Sequence, residues 1–317
     1  MPHPTASLAP PATPSSAAAF AARWADAALL LVAVVWGTSY GVAKGALAFY
    51  PVLGFLAVRF GLTLALLLPA WWRASPAQRR SALRAGLPLG WLLLGIFLCE
   101  TWGLAHTQAS HAAFLISLCV VFTPLAEWVL LRQRPAPAML GFAAVSLLGA
   151  ALLSGGVPGL GEGGVAWGWG DALVLAAAVL RAITVCATTR LTRGGGDSAA
   201  PVMALTAVQA AVVGSGALGL ALALPGGLPL LPREPQFWGA SAYLVLGCTV
   251  FAFGVQNWAL RHSSPTRVGL LMGSEPVFGA LFAVAWLGES LSPLGWVGGA
   301  LIVAAALLTV RRRTAPC

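Results

Sequence analysis

The amino-acid sequence predicts an all-α integral membrane protein of ten transmembrane helices, laid out as two inverted five-helix repeats. Three observations predict it: the composition, the length of the apolar runs, and a self-similarity at a fixed offset. Of 317 residues, 59% are hydrophobic and only 9% are charged. Soluble domains carry about 25% charged residues. So few charges cannot cover this chain with a polar surface, so most of that surface must face lipid. The apolar residues fall in ten runs, near 27–47, 52–72, 86–106, 112–131, 138–155, 167–189, 201–224, 237–260, 267–287 and 293–310. Each is close to the length, about twenty residues, that crosses a bilayer core as a helix. A β-barrel would instead alternate apolar and polar residues over about ten positions.

Taken in order, residues 1–25 read as a disordered cytoplasmic tail, because they are rich in Pro, Ala and Ser. They do not read as a cleaved signal, since the first apolar run is too long for a signal core and carries a polar stretch. Residues 26–156 hold the first five-helix repeat, 157–166 an external linker, 167–311 the second repeat, and 312–317 a cytoplasmic tail.

Charge sets the orientation. With the N-terminus inside, fourteen of the eighteen Lys and Arg fall in inner segments, and only Lys44 and Arg233 fall outside. Short loops rich in Lys and Arg stay in the cytoplasm. The expectation is a multi-pass protein of the inner (plasma) membrane with both termini cytoplasmic.

The net charge is +9, but it is scattered between spans. Nucleic acid is therefore not an expected partner, since binding it needs a basic patch or helix face. The five cysteines form no CxxC, so neither a disulfide nor a metal framework is expected. The histidines lack metal-ligand spacing, and no P-loop, HExxH or G-x-S-x-G occurs. GLGEGG, from Gly159 to Gly164, fits G-x-G-x-x-G, but it lies in a linker and not between a strand and a soluble helix. No cofactor, no metal and no catalytic residue are expected, and the chain does not read as an enzyme.

The repeat is visible directly. ETWGLAHTQASHAAFLISLCVVF, from Glu100, aligns without a gap on QNWALRHSSPTRVGLLMGSEPVF, from Gln256. Glu100 meets Gln256, Trp102 meets Trp258, and His106 meets His262. Further upstream, Asp26 meets Asp171. Five spans per half make the second half enter the membrane from the opposite side. Inverted repeats are typical of secondary transporters, whose site lies near mid-membrane between the halves. The functional expectation is thus a secondary transporter, read as an exporter of small molecules, with protons as the candidate coupling ion. The oligomeric state is not readable. The alternative is a passive channel or a membrane scaffold, neither of which needs matched polar groups in inverted halves.

The motifs WGTSYG in the first span, VRF in the second, HAAFLISLCVVFTPL with LRQRP around the fourth, and SPTRVGLLMGSEPVFGALFAVAWLGESLSPLGWVGGALI over the last two resemble the EamA family of the drug/metabolite transporter superfamily. The resemblance spans residues 26–310 and implies export or exchange of small metabolites or amino acids. The first repeat departs from the pattern: Val120 stands where the second has Pro276, with a proline later at Pro124, and Gln133 stands where it has Glu289.

Ionisable groups at membrane depth are costly and mark cavities or partners. Arg59, Glu100, Glu127, Arg181 and Glu275 qualify. Glu100 and Gln256 read as cavity lining. Arg59 and Arg181 read as neutralising an anionic substrate group or pairing with Glu100, with snorkelling to the cytoplasmic side a further reading for Arg181. Trp36 and Tyr40 share a helix face and can stack on a substrate, or simply pack. Gly37, Gly41 and Gly45 leave another face for close helix packing. Trp102 and Trp258, with His106 and His262, suit either the site or an interfacial belt. Gln209 is a further polar candidate.

Glu275 and Pro276 read as a gating or structural break, because proline frees backbone carbonyls near it; the carboxylate suits binding a cation or proton, or pairing with an arginine. Pro124 and Glu289 join that structural class. Glu127 is expected to pair with Arg132 or Arg134, and Asp26 and Asp171 to sit at helix starts, where a carboxylate favourably meets the helix dipole.

Overall fold

The structure is a computed structural model, and it describes residues 16–107, 112, 115–153, 168–193, 199–225, 227–287 and 292–312. Every regular element among these residues is helical. In chain order they are α1 (Ser16–Leu47), α2 (Val52–Arg73), α3 (Pro76–Ala105), α4 (Cys119–Leu131), α5 (Pro137–Leu153), α6 (Trp169–Thr192), α7 (Val202–Ala223) and α8 (Pro235–His262). There follow α9 (Pro265–Met272), α10 (Glu275–Leu287) and α11 (Pro293–Arg311).

Several starts follow one local rule. Ser75-Pro76, Ser264-Pro265 and Ser292-Pro293 each open a helix. The serine hydroxyl accepts the backbone N–H three residues on, from Gln78, Arg267 and Gly295 respectively. The proline occupies a first-turn position whose N–H would have no intrahelical partner.

Seven helices among the described residues are long and apolar enough to cross a membrane: α1, α2, α3, α6, α7, α8 and α11. The fourth and fifth expected spans are shorter apolar helices, Leu115–Leu131 and Pro137–Leu153. The ninth, expected as one run over 267–287, is divided into α9 and α10 at Gly273 and Ser274. The chain therefore breaks before Pro276 rather than kinking at it. Pro276 sits in the first turn of α10, where a missing N–H costs little. Pro124 lies inside α4. Glu289 lies outside the described residues.

α2 packs on α7, α5 on α11, α3 on both α6 and α7, and α1 on α8 and α10. The outward face carries exposed leucines such as Leu62, Leu66, Leu222, Leu246 and Leu307. Exposed tryptophans stand near helix ends at Trp72, Trp128 and Trp296. That is the surface a bilayer selects, apolar at the middle with indoles at the interfaces. The molecule is a multi-pass membrane protein.

α8 is not a regular α-helix throughout. Leu244–Phe251 is a π-helical stretch, and the Thr249 hydroxyl donates to the Leu244 carbonyl five residues back, at 2.9 Å. Wide turns of this kind occur often at functional sites. This one faces the interior charges described next.

Candidate functional site

Six helices aim side chains at one point. On α3, Phe97, Glu100, Thr101 and Leu104 fall three and four residues apart and so share a face. On α1, Trp36, Ser39, Ala43 and Leu47 do the same. With Phe55, Leu56 and Arg59 of α2, Arg181 of α6, Cys248 and Phe253 of α8, and Glu275 of α10, they line a cavity of about 70 Å³. That volume admits several waters or part of a small ligand. Leu47, Phe55 and Leu104 carry the lining toward the end of the bundle where α1 stops and α2 starts.

Arg181 organises the charges. Its Nη2 lies 3.3 Å from Glu100 Oε2, and its Nη1 lies 3.5 Å from Glu275 Oε2. Its guanidinium also stands over the Trp36 ring, 5.3 Å from the centroid, a cation–π contact. One cation thus holds two carboxylates from helices far apart in sequence, as buried charge requires. With all three ionised, the cluster has one net negative charge.

Trp36 is fixed in turn. Its indole N–H donates to the Cys248 carbonyl at 3.0 Å, and its ring meets Phe253 edge-on, with centroids 5.6 Å apart. The neighbouring Gly37 makes this approach possible. A Cβ there would stand 2.7 Å from the Glu275 carbonyl oxygen, so only glycine lets α1 lie against the turn that carries Glu275. Gly41 faces Phe282 more loosely, and Gly45 faces open space.

Arg59 is buried, with 7% of its surface exposed. Its Nε donates to Thr249 Oγ1 at 3.1 Å. Its guanidinium carbon lies 5.5 Å from the Phe60 ring centroid and 5.3 Å from that of Phe97.

Of the sequence-predicted site residues, Trp36, Arg59, Glu100, Arg181 and Glu275 meet at this cavity. The side chain of Tyr40 lies outside the described residues. Trp102 lies off the Phe97–Leu104 stripe, and Trp258 is 36% exposed; neither lines the cavity. Each accepts, through its backbone carbonyl, a 2.8 Å contact from the histidine four residues on, His106 or His262. Gln209 is buried elsewhere, accepting from Asn257 Nδ2 at 3.1 Å between α7 and α8. Gln256 is half-buried and does not line the cavity. Arg181 does not snorkel, because two carboxylates hold it inside.

Two further expectations are corrected. Asp26 is not at a helix start, since α1 begins at Ser16. Its carboxylate takes Arg267 in a two-pronged pair, with Oδ2 to Nη2 at 2.6 Å and Oδ1 to Nε at 3.2 Å. Arg267 also donates to the carbonyls of Thr309 and Arg312 at 2.6 Å and of Val310 at 3.2 Å, where the C-terminus of α11 favours a cation. Glu127 pairs with neither Arg132 nor Arg134. It accepts the Thr266 N–H at 3.0 Å and the Thr266 hydroxyl, which caps the exposed N–H groups of α9. Asp171 does sit in the first turn of α6, accepting the Gly168 N–H at 2.9 Å, and it also takes the Thr107 hydroxyl.

Sequence reasoning missed Phe97 and Phe253, whose rings meet at 6.4 Å and 87°. They are equivalent positions under the offset that aligns Glu100 with Gln256, so extending that alignment three residues upstream finds both. It also missed Arg267 as a buried ion and Thr249 as a partner of Arg59; neither had a signal beyond residue type.

Residues 23–155 and 168–311 each match the EamA-like transporter family. The chain belongs to that family. A probable terminal-alkyne amino-acid exporter of Streptantibioticus cattleyicolor is 27% identical over 90% of this chain and 93% of its own length. An uncharacterized transporter of Archaeoglobus fulgidus is 24% identical over 91% of this chain and 86% of its own. A crystal structure 21% identical in sequence superposes with a TM-score of 0.68, covering 91% of this chain and 98% of that one, which shows the shared fold. This EamA-family chain is a membrane transporter.

Proposed function

We propose that the protein is a secondary transporter of the inner membrane that exports small amphipathic metabolites or amino acids by alternating access between two inverted five-helix repeats. Both termini are cytoplasmic, and the substrate is the partner that fills the interior cavity. Protons are the coupling ion we assign, with Glu100 and Glu275 as the groups that can carry one.

The observation that carries this reading is the membrane-embedded cluster Glu100–Arg181–Glu275, which joins α3, α6 and α10 across the two halves at a cavity. The inverted arrangement is supported by contacts between equivalent elements: α2 on α7, α5 on α11, and Phe97 on Phe253. The relative named as an amino-acid exporter supports the substrate class.

The lining also supports a particular state. On α3 it runs outward from Phe97 to Leu104, while on α8, which runs the other way, it stops at Phe253 before Gln256. Asp26 and Arg267 tie α1, α9 and the end of α11 together on the opposite side. We read this as a cavity directed outward, with the cytoplasmic side latched.

The test compares cells expressing the wild type or Glu100→Gln at matched membrane levels, by untargeted mass spectrometry of the medium. A metabolite class that accumulates outside only with the wild type supports export. No difference, with uptake assays equally unchanged, refutes it.

A further inference from the structure

The two interior arginines differ in how they are engaged. Arg181 is shared by Glu100 and Glu275. Arg59 makes one hydrogen bond, through Nε to Thr249, and has no ion pair among the described residues. Its two terminal nitrogens thus keep their donors, on a side chain that is 93% buried and lines the cavity. Arg59 could be a purely structural tie between α2 and the π stretch of α8. That role uses only Nε, and the ring contacts with Phe60 and Phe97 hold the guanidinium without satisfying its remaining donors.

A buried guanidinium without a carboxylate is costly, and its planar pair of donors matches a carboxylate in two-pronged geometry. The same cavity also holds Glu100 and Glu275, which share Arg181. The wall of this cavity also carries the aromatic rings of Trp36, Phe97 and Phe253.

We propose that Arg59 is the anion anchor of the cavity and takes the carboxylate of a small molecule whose apolar chain lies against the aromatic wall. An ammonium group on the same molecule is drawn to the Glu100–Glu275 side. The ligand class is therefore a small zwitterion with an apolar side chain, and a lone amine lacks the group that Arg59 holds. This assignment rests on the transport reading for its physiological meaning, but binding alone tests it.

The experiment uses purified full-length protein in lipid nanodiscs and follows thermal unfolding with four probes of similar size: L-norvaline, pentanoate, L-norvalinamide and butylamine. At about 10 mM, above the usual range of substrate half-saturation, norvaline and then pentanoate raise the midpoint, while norvalinamide and butylamine leave it unchanged. Arg59→Gln weakens norvaline binding by about tenfold to a hundredfold, the loss expected for a charge-assisted pair. Arg59→Lys, which keeps the charge and guards against misfolding, retains part of it.

The proposal is overturned if the amide or the amine stabilises as well as norvaline. It is also overturned if neither carboxylate shifts the midpoint, or if both Arg59 variants fold and bind norvaline like the wild type. Failure of the transport reading looks different: no metabolite moves in either direction in cells, whatever the nanodisc result. Export of a set without carboxylates would sink this assignment alone.

Discussion

Asp26→Asn tests the latch read from Arg267. The native pair is buried and two-pronged, with contacts at 2.6 Å and 3.2 Å. Removing one partner of a buried ion pair costs about 3–5 kcal/mol. Here the three carbonyl acceptors from Thr309, Val310 and Arg312 remain, so the cost falls near the lower end, about 3 kcal/mol. If the pair exists only in the latched conformation, that energy shifts the balance toward the opposite conformation by on the order of a hundredfold. Gln256 reports the shift, because it lies on the latched side of Phe253. A cysteine is placed there in a background with the native cysteines replaced, and an impermeant thiol reagent is added to inside-out vesicles. The labelling rate is expected to rise at least tenfold with Asp26→Asn. An unchanged rate in a protein of normal abundance and melting midpoint would refute the latch.

Glu100→Gln leaves Arg181 with Glu275 as its partner; initial transport rates are expected to fall by about tenfold or more at wild-type membrane levels, measured in matched vesicles. Gly298→Ala drives a Cβ into the Gly149 carbonyl oxygen and should destabilise the α5–α11 contact by about 1–3 kcal/mol. Gly141→Ala, with open space around it, should instead raise the thermal midpoint slightly. Glu127→Ala removes the acceptor for Thr266 and is expected to cost about 1–3 kcal/mol, read as a lowered unfolding midpoint in detergent.

Local sequence rules carried far in some places and failed in others. The Ser-Pro starts of helices, which the sequence reading did not single out, follow a local rule in which the cap and the proline act within four residues. Glu100 and Arg181 were legible as interior charges because hydropathy places them at depth. Asp26 misled, because a carboxylate near a span's start has a familiar local role, whereas its true partner is 241 residues away. Glu127 misled in the same way: Arg132 and Arg134 are near in sequence, but the N-terminus of α9 is nearer in space. Gln256 was paired with Glu100 by the repeat. The cavity, however, extends to one side only, so equivalent positions have different surroundings.

Composition and run length by themselves determined that this chain crosses a membrane as helices, because so little charge cannot cover a soluble core. The motifs WGTSYG, VRF and SPTRVGLLMGSEPVF carried the resemblance to its family, which both halves of the chain match. Tertiary structure alone decided which arginine is occupied and which keeps its donors. The pairing of Arg181 with two carboxylates, and of Arg59 with a single hydroxyl, depends on helices separated by up to 190 residues. Charge partners inside a bundle are set by helix rotation and crossing, and no short-range pattern in the chain encodes those.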